Sequence, residues 1–105
     1  MGEAAVVDRC VSDFAARLRR AYRIHKIILF GSRARGDHLK HSDYDFVIVS
    51  PEFEGKRFSA RTAEMYQYWD ADVGIEPLCY TPDEFERKRK QITIVRQAVR
   101  EGIEV

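Results

Sequence analysis

Four consecutive apolar residues, Ile27-Ile28-Leu29-Phe30, stopped at once by Gly31, constrain this chain more than any other feature. A run this short and this branched suits a strand buried on both faces better than a helix. Such a strand belongs in the middle of a sheet with helices packed on it. A second strand is expected at Tyr44 to Val49, where Tyr44, Phe46 and Ile48 alternate with Asp43, Asp45, Val47 and Val49. Period-two geometry sends these two sets to opposite faces.

Helical spacing marks the rest. Val7, Cys10 or Val11, Phe14, Leu18 and Tyr22 recur at intervals of three and four, predicting a helix from about Ala4 to Tyr22. Pro51 to Lys56 reads as a surface loop, and Phe58, Thr62, Met65 or Tyr66, and Trp69 form the stripe of a further helix. Ala71 to Tyr80 reads as extended, with Pro77 placing that strand at an edge or a bulge. Thr81-Pro82-Asp83-Glu84 is a marked helix start: Thr81 caps, Pro82 occupies the first position, Glu84 reaches back, and Tyr80 staples against Phe85. The helical pattern resumes through Ile92, Val95 and Val99, is ended by Gly102, and is followed by a short strand at Ile103 to Val105. The order predicts an α/β (α+β) fold, a mixed β-sheet with flanking helices, and the 105 residues are expected to form a single domain spanning 1–105.

Charge narrows the function. Eighteen Lys plus Arg against seventeen Asp plus Glu leave a net charge of +1, so the molecule as a whole has no field that demands nucleic acid or a membrane surface. Direct nucleic-acid binding is not expected. Cys10 and Cys79 are too few for a disulfide framework, and no apolar run approaches a membrane span or a signal segment, so a cytoplasmic protein is expected.

The chemistry concentrates in Gly31-Ser32-Arg33-Ala34-Arg35-Gly36 and, six residues later, Asp43-Tyr44-Asp45. A glycine leaving a buried strand lets a ligand approach the backbone, and Ser32 with the N–H groups of the turn can bond phosphate oxygens. Arg33 and Arg35 flank that turn, and a guanidinium fork matches phosphate. One of the two can instead pair with Asp37 or Asp43. Asp43 and Asp45 share one face at a strand entrance, where their mutual repulsion is most simply relieved by a divalent cation. Oxygen donors without Cys or a well-placed His favour Mg²⁺ or Mn²⁺ over zinc.

These two motifs, Gly31-Ser32-Arg33-Ala34-Arg35-Gly36 and Ser42-Asp43-Tyr44-Asp45, resemble those of the minimal nucleotidyltransferases of the polymerase-beta-like superfamily. The resemblance extends to Leu78-Cys79-Tyr80-Thr81-Pro82 and to Glu101-Gly102. It implies Mg²⁺, a nucleoside triphosphate, and transfer of a nucleotidyl group, AMP from ATP, to an acceptor hydroxyl. By the same resemblance Gly31, Ser32 and Arg33 hold the triphosphate while Asp43 and Asp45 ligate metal. A third carboxylate is used on a later strand, and Glu76, just before Pro77, matches its position, although the family more often carries Asp there. Asp72 competes for that role, being four residues away on the extended segment. Larger relatives grip the acceptor with a second domain. The minimal ones are commonly paired with a helical HEPN-domain protein, in some cases as antitoxin. The substituted third acid favours an alternative, a catalytically inactive nucleotide-binding subunit that masks its partner by binding alone.

Other features carry less. Gly31 and Gly36 have the offset of a P-loop, but Asp37 and His38 stand where Lys and Ser or Thr are required. His25, His38 and His41 lack metal-ligand spacing and read as solvated, as does Arg87-Lys88-Arg89-Lys90. Cys79 reads as a small core residue. Tyr68 falls off its helix stripe and is expected to face a partner.

Overall fold

The computed structural model describes residues 8–39, 42–91 and 93–105. Helix α1 (Arg9–Ala21) leads into strand β1 (Lys26–Phe30), a single helical turn α2 (Ser32–Arg35) and strand β2 (Tyr44–Val49). Helix α3 (Phe58–Met65), strand β3 (Ile75–Tyr80), helices α4 (Pro82–Arg89) and α5 (Ile94–Glu101), and strand β4 (Ile103–Glu104) complete the chain. The strands form one mixed sheet in the order β3-β2-β1-β4. β1 runs antiparallel to both β2 and β4, whereas β2 and β3 are parallel.

The doubly buried strand is as expected, and its two faces have different cover. Ile27 and Leu29 join Tyr44, Phe46, Ile48, Ile75 and Cys79 under α1 and Met65 of α3. Phe14 is central there, with ring centroids 5.0 Å from Phe46 and 5.3 Å from Trp69. Ile28, Phe30, Val47, Val49 and Tyr80 face the other way and pack with Phe85 of α4 and Val95 and Ala98 of α5. Tight contact closes this second layer at Gly102: a Cβ there would lie 2.5 Å from both the Ala98 carbonyl oxygen and Ile28 Cγ2. Gly102 is therefore needed for space, since its backbone is ordinary extended chain at φ −83°.

Several boundaries depart from the sequence reading. The segment expected as a surface loop contains a 3-10 turn, Pro51–Phe53, whose Phe53 is fully buried. The helix after it stops at Met65 and continues only as a 3-10 turn, Tyr66–Tyr68. That shift of phase corrects the expectation for Tyr68. Its ring packs against the core 5.7 Å from Tyr22, and its carbonyl accepts from Arg17. The exposed aromatics of this region are Tyr66 and Phe58, at 50% and 44%. The expected extended segment shortens to β3, leaving Asp72 on a bend before it. The last helical stretch is two helices, with Thr93 accepting from Arg96 N–H to start the second. Val7, His41 and Ile92 lie outside the described residues.

β3 is an edge strand, as Pro77 suggested, and α3 covers its outer side. Tyr66 donates to the Ile75 carbonyl at 2.8 Å, Thr62 to that of Pro77 at 3.2 Å, and Arg61 to that of Cys79 at 3.1 Å. Alternate carbonyls of the edge are thereby bonded by side chains, which blocks pairing with another chain. Arg61 is buried and also pairs with Glu84 at 2.7 Å. Glu84 completes the capping box with Thr81, so one carboxylate fixes both the start of α4 and the edge clamp. Cys79 is fully buried, its thiol pushed up to about 12 by burial.

Candidate active site

The site forms where β1 ends and β2 and β3 begin. The antiparallel partner of Asp45 is Phe30, and its parallel partner is Glu76. Directly paired residues share a face, so Phe30, Asp45 and Glu76 form a row across three strands on the α4–α5 side of the sheet. Asp43 precedes Asp45 by two positions, just before β2 begins. This end of the sheet is acidic because the apolar patterns of β2 and β3 give way there to carboxylates.

Two glycines make room for these acids. Gly31 has φ +77° and ψ −158°, a conformation almost confined to glycine. A Cβ built on it would lie 2.5 Å from Asp45 Oδ2, so the backbone of the turn passes directly against that carboxylate. Gly74, at the threshold of β3, stands in the same relation to Asp43, with a would-be Cβ 3.0 Å from Oδ1. Nothing in the sequence distinguished Gly74 from an ordinary turn glycine. The α2 turn is closed by bonds from Ala34 and Arg35 N–H to the Gly31 carbonyl, both 3.1 Å, and ended by Gly36 in the left-handed region.

The carboxylates sense one another. Burial, followed by the charges of Glu76 and Asp43, raises the Asp45 carboxyl above its ordinary value of 3.8, and Arg35 opposes this. Glu76, not Asp72, is therefore the later acid that stands in register with Asp45. Asp43 and Glu76 are exposed, and among the described residues no three Asp, Glu, His or Cys side chains converge on a common point as they stand. The donor set is nonetheless chemically suited to a hard divalent cation, since it consists of oxygen ligands whose repulsion an ion would relieve.

A cleft of about 290 Å³ lies beside this row. Phe30, Gly31, Ser32, Arg35 and Asp45 line one wall, and α5 contributes Ile94, Gln97 and Glu101 to the other. Arg33 turns elsewhere. Its Nε and Nη2 donate to the Ser42 carbonyl at 3.0 and 2.9 Å, and its guanidinium carbon lies 4.3 Å from the centre of the Tyr44 ring. It thus braces the loop that carries Asp43 toward β2, and the guanidinium that faces the cleft is that of Arg35, which also pairs with Asp37 at 3.1 Å. The α5 residues are invisible to motif reasoning because they reach the cleft only through tertiary packing. His25 and His38 are exposed, as expected.

Residues 11–100 match the family model described as nucleotidyltransferase domain. The chain belongs to this family. A protein of Methanocaldococcus jannaschii, named provisionally as a protein adenylyltransferase, is 48% identical over 44 residues, a stretch covering 40% of this chain and 44% of that relative. The match thus spans less than half the length of the curated relative. The crystal structure of a protein of Sulfolobus solfataricus, described provisionally as a nucleotidyltransferase, superposes with a TM-score of 0.64 at 18% identity, covering 91% of this chain and 76% of that one. BolA1 from Arabidopsis thaliana also superposes, with a TM-score of 0.60 at 17% identity over 74% of this chain and 98% of its own. Both structural likenesses show the fold alone, which hosts more than one function. Among the described residues no helix is long and apolar enough to cross a membrane.

Proposed function

We propose that this chain is a cytoplasmic, Mg²⁺-dependent nucleotidyltransferase that moves AMP from ATP to a hydroxyl of a partner protein. The observation that carries the reading is the registered pair Asp45 and Glu76, with Asp43 beside them and the Gly31-Ser32 turn against Asp45. Asp43, Asp45 and Glu76 would hold the ion, Mg²⁺ or Mn²⁺, which when bound offsets phosphate charge and lowers the pKa of an attacking hydroxyl. Gly31 lets phosphate oxygens reach the backbone of the turn, and Ser32 supplies a hydroxyl donor. Arg35 adds a cation on the same wall, while Arg33 keeps the loop before Asp43 in place. Glu76, exposed and in register with Asp45, would take the proton of the acceptor. The acceptor oxygen then bonds to the α-phosphorus as the bond to the β-phosphate oxygen breaks, and pyrophosphate leaves.

The provisional name of the M. jannaschii relative, protein adenylyltransferase, supports a protein acceptor. A helical HEPN-domain protein encoded beside this chain is the partner proposed, with this chain as its antitoxin. The test is incubation of the pair with α-labelled ATP and Mg²⁺. Covalent label on the partner is expected with the wild type and is expected to be absent with Asp45→Asn. A stable pair that binds MgATP without transferring label would instead establish the binding-only subunit, and failure to bind MgATP at all would remove the reading.

A further inference from the structure

We propose that the α5 wall of the cleft is a nucleobase subsite in which Gln97 reads an adenine edge and Ile94 packs against the ring. The inference rests on the reading of the cleft as a nucleotide site and adds which end of the nucleotide lies where. The two walls differ in character. Ser32, Arg35 and the glycine turn suit phosphate, and the Asp45 carboxylate on that wall is the one the proposed cation would offset, whereas α5 presents the Glu101 carboxylate to the cleft with no cation lining it there, which would repel phosphate. The anionic end of a bound nucleotide therefore lies against the turn, and its other end reaches α5.

That end of the cleft has what a base requires. Ile94 is 53% exposed, a large apolar side chain at a cleft whose neighbouring groups are mostly polar, and a flat ring laid on it removes that surface from water. Gln97 lies one helical turn further along the same wall, and its amide has no partner among the described residues. An amide offers an acceptor and a donor side by side, which pairs with the amino group and N7 of adenine. Guanine presents two acceptors on that edge, so the amide oxygen would face another oxygen. Adenine is the base this wall selects.

Calorimetric titration of the full chain in Mg²⁺ with ATP, GTP and inorganic tripolyphosphate tests the assignment. The wild type is expected to prefer ATP over GTP by about tenfold or more. Gln97→Ala should erase that preference, and Ile94→Ala should weaken both nucleotides, while tripolyphosphate binds all three proteins equally. Both side chains are exposed, so the variants should keep the wild-type urea midpoint. Equal affinity of the wild type for ATP and GTP, or an undiminished preference in Gln97→Ala, would overturn the subsite and leave the phosphate end standing. A wild type that binds neither nucleotide nor tripolyphosphate would remove the nucleotide site itself.

Discussion

Gly31 and Asp45 act as one unit, because the absent side chain of the first is the space occupied by the second. Gly31→Ala is expected to lose about 1–3 kcal/mol from its disfavoured backbone conformation. The added methyl should also turn Asp45 out of the row, so MgATP binding should fall further than the shift in urea midpoint explains. Asp45 itself should weaken the free protein. Its carboxyl is raised in the folded state, so the native protein holds the proton to higher pH than the unfolded chain does. Its contribution to stability therefore declines as pH rises from about 3.8 through the folded value, then stays level. Without divalent cation, Asp45→Asn should match the wild type near pH 3 and exceed it at neutral pH, as read from paired urea midpoints. The two Asp residues were legible in the sequence because alternation alone puts them on one face. The glycine at position 74 was not, since its role is set by a strand that pairs from elsewhere in the chain.

Among the elements, α3 shows how a correct periodicity can conceal its purpose. The stripe of Phe58, Thr62, Met65 or Tyr66, and Trp69 predicted a helix, which runs to Met65; Met65 and Trp69 pack in the core, but Thr62 and Tyr66 serve the carbonyl edge of β3 and Phe58 stays exposed. Spacing identifies a face without identifying what the face meets. The start of α4 was legible in full, because a capping box is satisfied by residues three apart and needs no tertiary partner. What the sequence could not show is that Glu84 also receives Arg61. Arg61→Ala leaves the Cys79 carbonyl without its side-chain donor and that carboxylate with the Thr81 N–H alone, and should cost about 2–4 kcal/mol. The hydrogen bond from Arg61 is the chief cause holding the Glu84 carboxyl below its ordinary 4.5. This contribution is present above pH 4.5 and is lost as pH falls through the folded value, so the variant should also show a shallower acid limb in a stability profile. An unchanged limb would show that the pair does not act as drawn.

In the molecule as a whole, residues 31–43 connect the antiparallel pair β1 and β2, but the parallel pairing of β2 with β3 requires the chain to travel through residues 50–74, α3 included. The longer connection is expected to close more slowly. The Asp45–Glu76 pairing is therefore expected to form after the β1–β2 pairing, so that its repulsion is felt late in folding. In a denaturant chevron, Asp45→Asn should slow the unfolding limb and leave the folding limb where it was. A faster folding limb would show that the acids meet early. A chain arranged this way makes its first strand pairing before it bears the charge that its chemistry demands.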